Sequence, residues 1–273
     1  MKKLFEKHNN WFFRAGFILT AVMVFVVLLG QIWTPYDPSA MDAAAKAQGP
    51  TLQHLLGTDY FGRDILSRIL EGAGATLQIA FFVVLIGAGA GTLVGALTGY
   101  FGGVVDEVLM RICDAITAFP SVLLALIAIA VIGPGRLNVI MVLGCVFIPS
   151  FARIVRAEFV RIKKLNYISL ARLQGVGNAR IMLRHILPNT FPTLLPAVSI
   201  GFNNAVLAEA SMSFLGIGVT PPDASLGYML AEAQAMFVKA PWYALSTGVV
   251  IALLVFGVGL IGEGLQKLDR EVD

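Results

Sequence analysis

Few residues in this chain could do chemistry, and where they fall is informative. Gly57-Thr58-Asp59-Tyr60-Phe61-Gly62-Arg63-Asp64 holds two carboxylates that could ligate a metal or share a proton. No paired histidine or further carboxylate supplies the remaining ligands. A glycine-rich turn closed by Asp64 as a helix cap accounts for the same residues. His8, His54 and His185 are scattered over both sides of the expected membrane, which argues against one shared metal site. Cys113 and Cys145 have no metal-ligand spacing, and no disulfide is expected; both read as small apolar side chains, buried. Asn203, Asn204 and Glu209 interrupt an apolar run. A carboxylate at membrane depth costs about 3 kcal/mol on insertion scales, so such groups face a bundle interior or water. They either line a transport path or make interhelical hydrogen bonds, with hydration at the outer surface a further option for Glu209. No phosphate-cradling loop ending in Gly-Lys-Ser/Thr occurs, and no Ser/His/Asp set, so neither an ATP site nor a catalytic centre is visible.

The elements that must position these residues are membrane helices. Of 273 residues, 57% are hydrophobic and only 14% charged, against about 25% charged in soluble domains. The expected fold class is an all-α polytopic membrane protein with six spans. Ala15–Trp33 is read as an uncleaved first span rather than a signal peptide, because its apolar run is too long and no small-residue cleavage site follows. Residues 34–75 form an outer segment ending in a short amphipathic helix on the membrane, with Ile65, Leu66, Ile69 and Leu70 on one face. The further spans are Leu77–Gly99, Ile116–Gly133, Leu137–Ile154 with a bend near Pro149, Pro192–Ile217 and Tyr243–Gly262. Between them lie a short inner loop with Glu107–Arg111 and Arg111–Asp114 pairs, and an outer segment with Pro221-Pro222 and an amphipathic helix over Leu226–Val238. Both termini then lie inside. This arrangement puts fifteen Lys and Arg inside and five outside, as the positive-inside rule requires. A net charge of +3 gives no reason to expect nucleic-acid binding.

Two patterns stand out. Gly87, Gly91, Gly95 and Gly99 recur every four residues in the second span, with Gly103 continuing the series. On a helix they form a groove for a close-packed helix, from this chain or another. Second, Glu158–Asn189 is basic, with eight Lys and Arg between Arg153 and Arg184. Within it, Tyr167–Gln174 reads as helical turns broken by Gly175 and Gly177, then a second short helix with Ile181, Leu183 and Ile186 that stops before Pro188. Such a knob suits gripping by a soluble partner; a solvated loop that only sets topology is the competing reading.

The basic stretch resembles the cytoplasmic coupling loop of ABC importer permeases. That signature is Glu-Ala-Ala, three residues, Gly, nine residues, Ile, one residue, Leu-Pro. Ala171, Gly175, Leu187 and Pro188 fall on it; Ser169, Leu170 and His185 depart from it. Residues 54–68 (HLLGTDYFGRDILSR), Asp106, Met110-Arg111, Asp114, Ala118-Phe119-Pro120, residues 184–189 (RHILPN), Ala208-Glu209-Ala210 and residues 213–219 (SFLGIGV) extend the likeness over nearly the whole chain. The chain is thus similar to the second permease subunit of dipeptide, oligopeptide and nickel ABC importers.

The resemblance implies a type I importer permease fold in the bacterial plasma membrane. It divides the chain into residues 1–75, an added helix with an outer segment, and residues 76–273, the permease core, with a coupling loop at 156–189. The implied partners are a homologous second permease, two ABC ATPase subunits, an extracytoplasmic solute-binding protein and the lipid bilayer. ATP and Mg would sit on the ATPases, with no cofactor on this chain and no catalysis by it. The ATPase-coupling residues would be Asn166, Tyr167, Ser169, Leu170, Ala171, Gly175, Leu187 and Pro188. Asn203, Asn204 and Glu209 would line the path. Peptides are the expected solute, nickel or a metal–chelator complex the alternative. A membrane-embedded enzyme would need convergent catalytic side chains. A channel or secondary transporter would need an inverted repeat or a charged pore. Neither pattern is found.

Overall fold

The computed structural model describes residues 11–221 and 223–270; Lys2, Lys3, Lys7, His8 and Pro222, and the last three residues of the expected inner tail, lie outside the described residues. Helix α1 (Trp11–Ile32) is apolar on every side and mostly exposed, as a lipid-facing span is. It leans on the last helix, where Gly16 meets the backbone of Gly257 and Ile261. The chain then runs through an irregular segment, with one 3-10 turn at Ala43–Ala45, to the Asp64 cap.

Helix α2 (Ile65–Phe101) has 37 residues, about 55 Å at 1.5 Å per residue, so it far exceeds a hydrocarbon core of about 30 Å. This corrects the expected split into a surface helix and a separate span. Gly72 and Gly74, in the outer segment expected from the sequence, are helical positions where neighbours approach closely. Gly72 meets Ser225 and the Met229 sulfur, and Gly74 meets the Gln31 amide.

The next segment departs further from expectation. The inner loop is helical, α3 (Gly103–Thr117), and α4 (Ser121–Ile132) leaves it at 84°. With 12 residues, α4 is about 18 Å long, so the third apolar segment is half an elbow rather than one straight span. Pro120 is the cause: it disfavours helical backbone at Phe119 and is itself extended, at φ −54°, ψ 127°. The expected Arg111–Asp114 pair is replaced by one across helices, with Arg153 donating to the Asp114 carboxylate at 2.7 Å.

Helix α5 (Arg136–Ile162) runs through Pro149 and past the expected end at Ile154. Helix α6 (Asn166–Leu173) is short. Helix α7 (Asn178–Phe214) starts well before the expected span and continues through Pro188, Pro192 and Pro196. A π-turn at Ile181–Ile186 makes that continuity possible: the Leu187 N–H reaches Met182 O, and the widened turn lies against the proline that would otherwise end the helix. Helix α8 (Leu226–Gln234), capped by Ser225, is packed into the bundle through Leu226, Met229 and Ala233. Helix α9 (Pro241–Arg270) closes the chain against α1 and α7. The most extensive packing is α2 on α5, and the buried core runs along that seam.

Candidate functional site

The basic segment forms a knob at one end of the bundle. Leu165 is extended before α6, at φ −73° and ψ 146°. Ile168 turns inward and joins a buried cluster with Ile162, Ile181 and Ile186, and Ala171, three residues on, is buried as well. Tyr167, Leu170 and Leu173, spaced i, i+3, i+6, form an outward apolar face on which Leu173 is 86% exposed. Asn166 and Ser169 are exposed beside them. The helix ends in a Schellman motif: Gly175 N–H donates to Arg172 O at 2.9 Å and Val176 N–H to Ala171 O at 3.1 Å. Gly175 has φ +77°, which a residue with a Cβ adopts at a cost, while open space surrounds it. Gly177, read as a second break, has an ordinary φ of −66° and needs no glycine. Leu187 is half-buried and Pro188 exposed, and the Asn189 amide donates to Tyr167 Oη at 3.4 Å.

One side chain that sequence reasoning passed over organises the knob's root. Tyr100, buried at the end of α2, donates its hydroxyl to Asn178 Oδ1 at 2.6 Å. The Lys163 ammonium and the Arg172 guanidinium each lie 5.4 Å from its ring centroid, and Lys163 also donates to the Tyr100 carbonyl. An aromatic flanked by basic residues distant in sequence gives no local signal.

The four regularly spaced glycines of α2 all face α5. A methyl group at Gly87 would sit 3.0 Å from Phe147 Cβ, at Gly91 2.6 Å from Phe151 Cβ, at Gly95 2.5 Å from Ala152 O and at Gly99 2.6 Å from Phe159 Cβ. Gly103 does not continue the row: it has φ +54° and nothing within 4 Å.

A groove of about 630 Å³ opens between the α3–α4 elbow, α5 and α7. Thr117, Ser121, Ser150, Asn204 and Ser211 provide its polar groups, and no ionisable side chain lines it. The structure separates the three polar residues of α7. Asn204 lies on the groove. Asn203 faces Gly259 of α9, whose Cβ position is 3.1 Å from its Nδ2. Glu209 is fully buried away from the groove and accepts from Ser213 Oγ at 2.7 Å; that hydroxyl in turn accepts the Val219 N–H at 2.9 Å.

At the opposite end, the two aspartates of residues 57–64 serve separate purposes. Asp64 accepts the Ser67 N–H at 2.8 Å, capping α2, and lies 2.9 Å from His54 Nδ1. Asp59 enters a buried charge network: its Oδ2 accepts from Arg63 Nε at 2.6 Å and Arg68 Nη1 at 2.8 Å. Glu232 of α8 accepts from Arg63 at 2.8 Å, from Arg68 at 2.6 Å and from the Tyr243 hydroxyl at 2.9 Å. Two carboxylates and two guanidinium groups cancel in charge, and Arg68 is only 3% exposed. Burial works against the charged form of Glu232, but the Arg68 and Arg63 guanidinium groups outweigh it and hold its carboxyl below the ordinary glutamate value. Among the described residues no group of three or more His, Cys, Asp or Glu could hold a metal ion. Cys113 is buried and Cys145, expected inside, lies exposed on the surface of the chain.

Comparison with known proteins places this geometry. The family described as binding-protein-dependent transport system inner membrane component matches residues 91–268. The dipeptide transport system permease protein DppC of Alkalihalophilus pseudofirmus is 36% identical over 92% of this chain and 83% of its own. A putative peptide transport system permease protein of Brucella suis is 40% identical over 94% of this chain and 86% of its own. The glutathione transport system permease protein GsiD of Escherichia coli O6:K15:H31 is 40% identical over 97% and 90%. Among solved structures, an inward-facing form of the MetNI methionine ABC transporter shares the fold, with TM-score 0.58 and 21% identity over 77% of this chain and 96% of that one.

Proposed function

This chain belongs to the binding-protein-dependent transport system inner membrane components, and from that premise we propose that it forms half of the translocation path of an ATP-driven importer of small peptides. Its basic end faces the cytoplasm, where fifteen of twenty Lys and Arg collect under this orientation. Residues 1–75 add a lipid-facing helix and an outer segment to a permease core at 76–273. A homologous second permease completes the path, two ATPase subunits beneath bind ATP and Mg and hydrolyse ATP, and an outer binding protein delivers solute. Peptides are the solute named for the relatives at 36–40% identity.

The observation that carries this reading is α6: a short helix with its apolar face turned out and its inward face anchored, closed by the left-handed Gly175. An exposed Tyr167–Leu170–Leu173 face is what a groove on a soluble ATPase can grip. Ser169 lies beside it, Asn166 starts it, and Leu187 and Pro188 lie at its base, while Ala171 works from the buried side. Closing the ATPase pair on ATP draws the two knobs of the permease pair together and tilts the helices rooted on them. To turn the path decisively from one side to the other, from 1:99 to 99:1, ATP must favour one state by about 5.5 kcal/mol, so the knob must move as one body with the bundle. The groove beside Asn204, uncharged and sparsely polar, suits passage rather than tight binding of cargo.

The test is ATP hydrolysis by the assembled complex in the presence of the binding protein, titrated first with a small peptide library and then with nickel and chelators. Stimulation by peptides is expected. Stimulation only by a metal complex would overturn the solute class, and failure to co-purify with any ATPase would overturn the importer reading.

A further inference from the structure

Resting on the reading of α6 as the ATPase-facing knob, we propose that Tyr100 is the positioning residue that ties this knob to α2, so that force applied to α6 reaches the long helix. Of the two buried side chains of α6, Ile168 and Ala171, Ile168 shares a buried cluster with Ile181 and Ile186 of the π-turn of α7. Tyr100 of α2 meets the knob at three points that bracket it: Lys163 just before it, Arg172 in its last turn and Asn178 just after Gly175. The contacts are of three kinds. Two cations lie over the ring. The hydroxyl donates to a side-chain amide. The Tyr100 carbonyl, at the negative end of a 37-residue helix, accepts from the Lys163 ammonium. The helix that Tyr100 ends is unusually well suited to carry displacement. It is packed without a spacer on α5 through Gly87, Gly91, Gly95 and Gly99, and its far end holds Arg68 in the buried charge network. A core tyrosine needed only for packing would not gather two cations, one from the residues leading into α6 and one from its last turn.

Three forms of the full chain decide it: the wild type, Tyr100→Phe, which keeps the ring and loses the Asn178 bond, and Tyr100→Leu, which loses both. Spin labels at Phe101 and Leu173, both exposed, report the knob's orientation against the end of α2, with Cys113 and Cys145 replaced by alanine. A single narrow distance distribution is expected in the wild type and in Tyr100→Phe, and a broadened one in Tyr100→Leu. In the assembled complex, stimulation of ATP hydrolysis by solute-loaded binding protein should fall about tenfold in Tyr100→Leu and only about twofold in Tyr100→Phe. Basal hydrolysis and the amount of co-purified ATPase should be unchanged. An unbroadened distribution in Tyr100→Leu overturns the proposal, as does wild-type stimulation in that variant or a loss confined to ATPase binding. If the wild-type complex shows no stimulation at all, the importer reading falls instead, and the distance measurement on the chain alone still decides the role of Tyr100.

Discussion

The two ends of this bundle are held together by different physics. At the end carrying residues 34–64, Asp59, Arg68 and the Tyr243 hydroxyl are packed out of water, the half-buried Arg63 and Glu232 complete the network, and each of these partners is supplied by the chain itself. At the basic end, an eight-residue helix keeps an apolar face exposed and is held by two buried side chains and a cation–π grip. The first arrangement is self-satisfied and favours a single geometry. The second leaves its apolar surface for something else to cover. A rigid scaffold at one end and an incomplete surface at the other, joined by the same 37-residue helix, is what a subunit needs if it is to be driven from outside itself.

That contrast can be broken at either end, and the size of the effect should differ. The largest is expected at the buried network. Arg68→Met leaves Asp59 and Glu232 with one buried partner fewer, and removing one member of such a set costs about 3–5 kcal/mol. The thermal midpoint of the detergent-solubilised chain should fall sharply, whereas a combined neutral replacement of Arg68 and Glu232 should recover part of the loss. Next comes the shared rod. Gly95→Leu drives a side chain into the Ala152 carbonyl and Val155, and overpacking of this kind costs about 1–3 kcal/mol. Reduced recovery of folded protein on size-exclusion chromatography would register it, with Gly89→Leu, on the same helix and with nothing within 4 Å, as the milder comparison.

At the basic end the effect on stability should be smaller and the effect on function larger. Gly175→Arg pays the left-handed backbone cost, about 1–2 kcal/mol, yet its side chain enters open space. Insertion and folding should survive while solute-stimulated ATP hydrolysis is abolished; normal coupling in this variant would remove α6 from its assigned place. Acid should separate the two ends as well. Glu232 has a folded pKa below its ordinary value, so its ionisation adds stability that is complete above the ordinary glutamate value, about 4.3. That contribution is lost as pH falls through the depressed folded value. Acid unfolding should therefore begin at residues 57–68 and α8, and hydrogen exchange below about pH 4 should show protection lost there before the α2–α5 seam. The smallest effect belongs to the exposed Glu107–Arg111 pair at 3.8 Å: Glu107→Ala should change stability by no more than about 0.5 kcal/mol.

Much of this protein is determined by short-range features of its sequence. Apolar runs long enough for lipid, the Asp64 cap, the left-handed Gly175 and the four-residue glycine spacing all depend on neighbours within a few turns. Hydrophobic length, capping and helical periodicity are read over that range. The same short range fails at the third and fifth apolar segments. Pro120 breaks the expected span instead of lying within it, and Pro188 does not end its helix, because the π-turn before it carries the helix through. The sign of a proline's effect depends on what packs around the turn. What only the tertiary structure decided is partnership. That the glycine row meets α5, that Glu232 reaches Arg68 across 164 residues, and that Tyr100 reaches Asn178 across 78 are set by how helices lie against one another. So is the division of Asn203, Asn204 and Glu209 between three surroundings, because adjacent positions on one helix point in different directions. A charge or a ring carries no record in the local sequence of which distant group will neutralise it, since that choice belongs to the packing that excludes water from both.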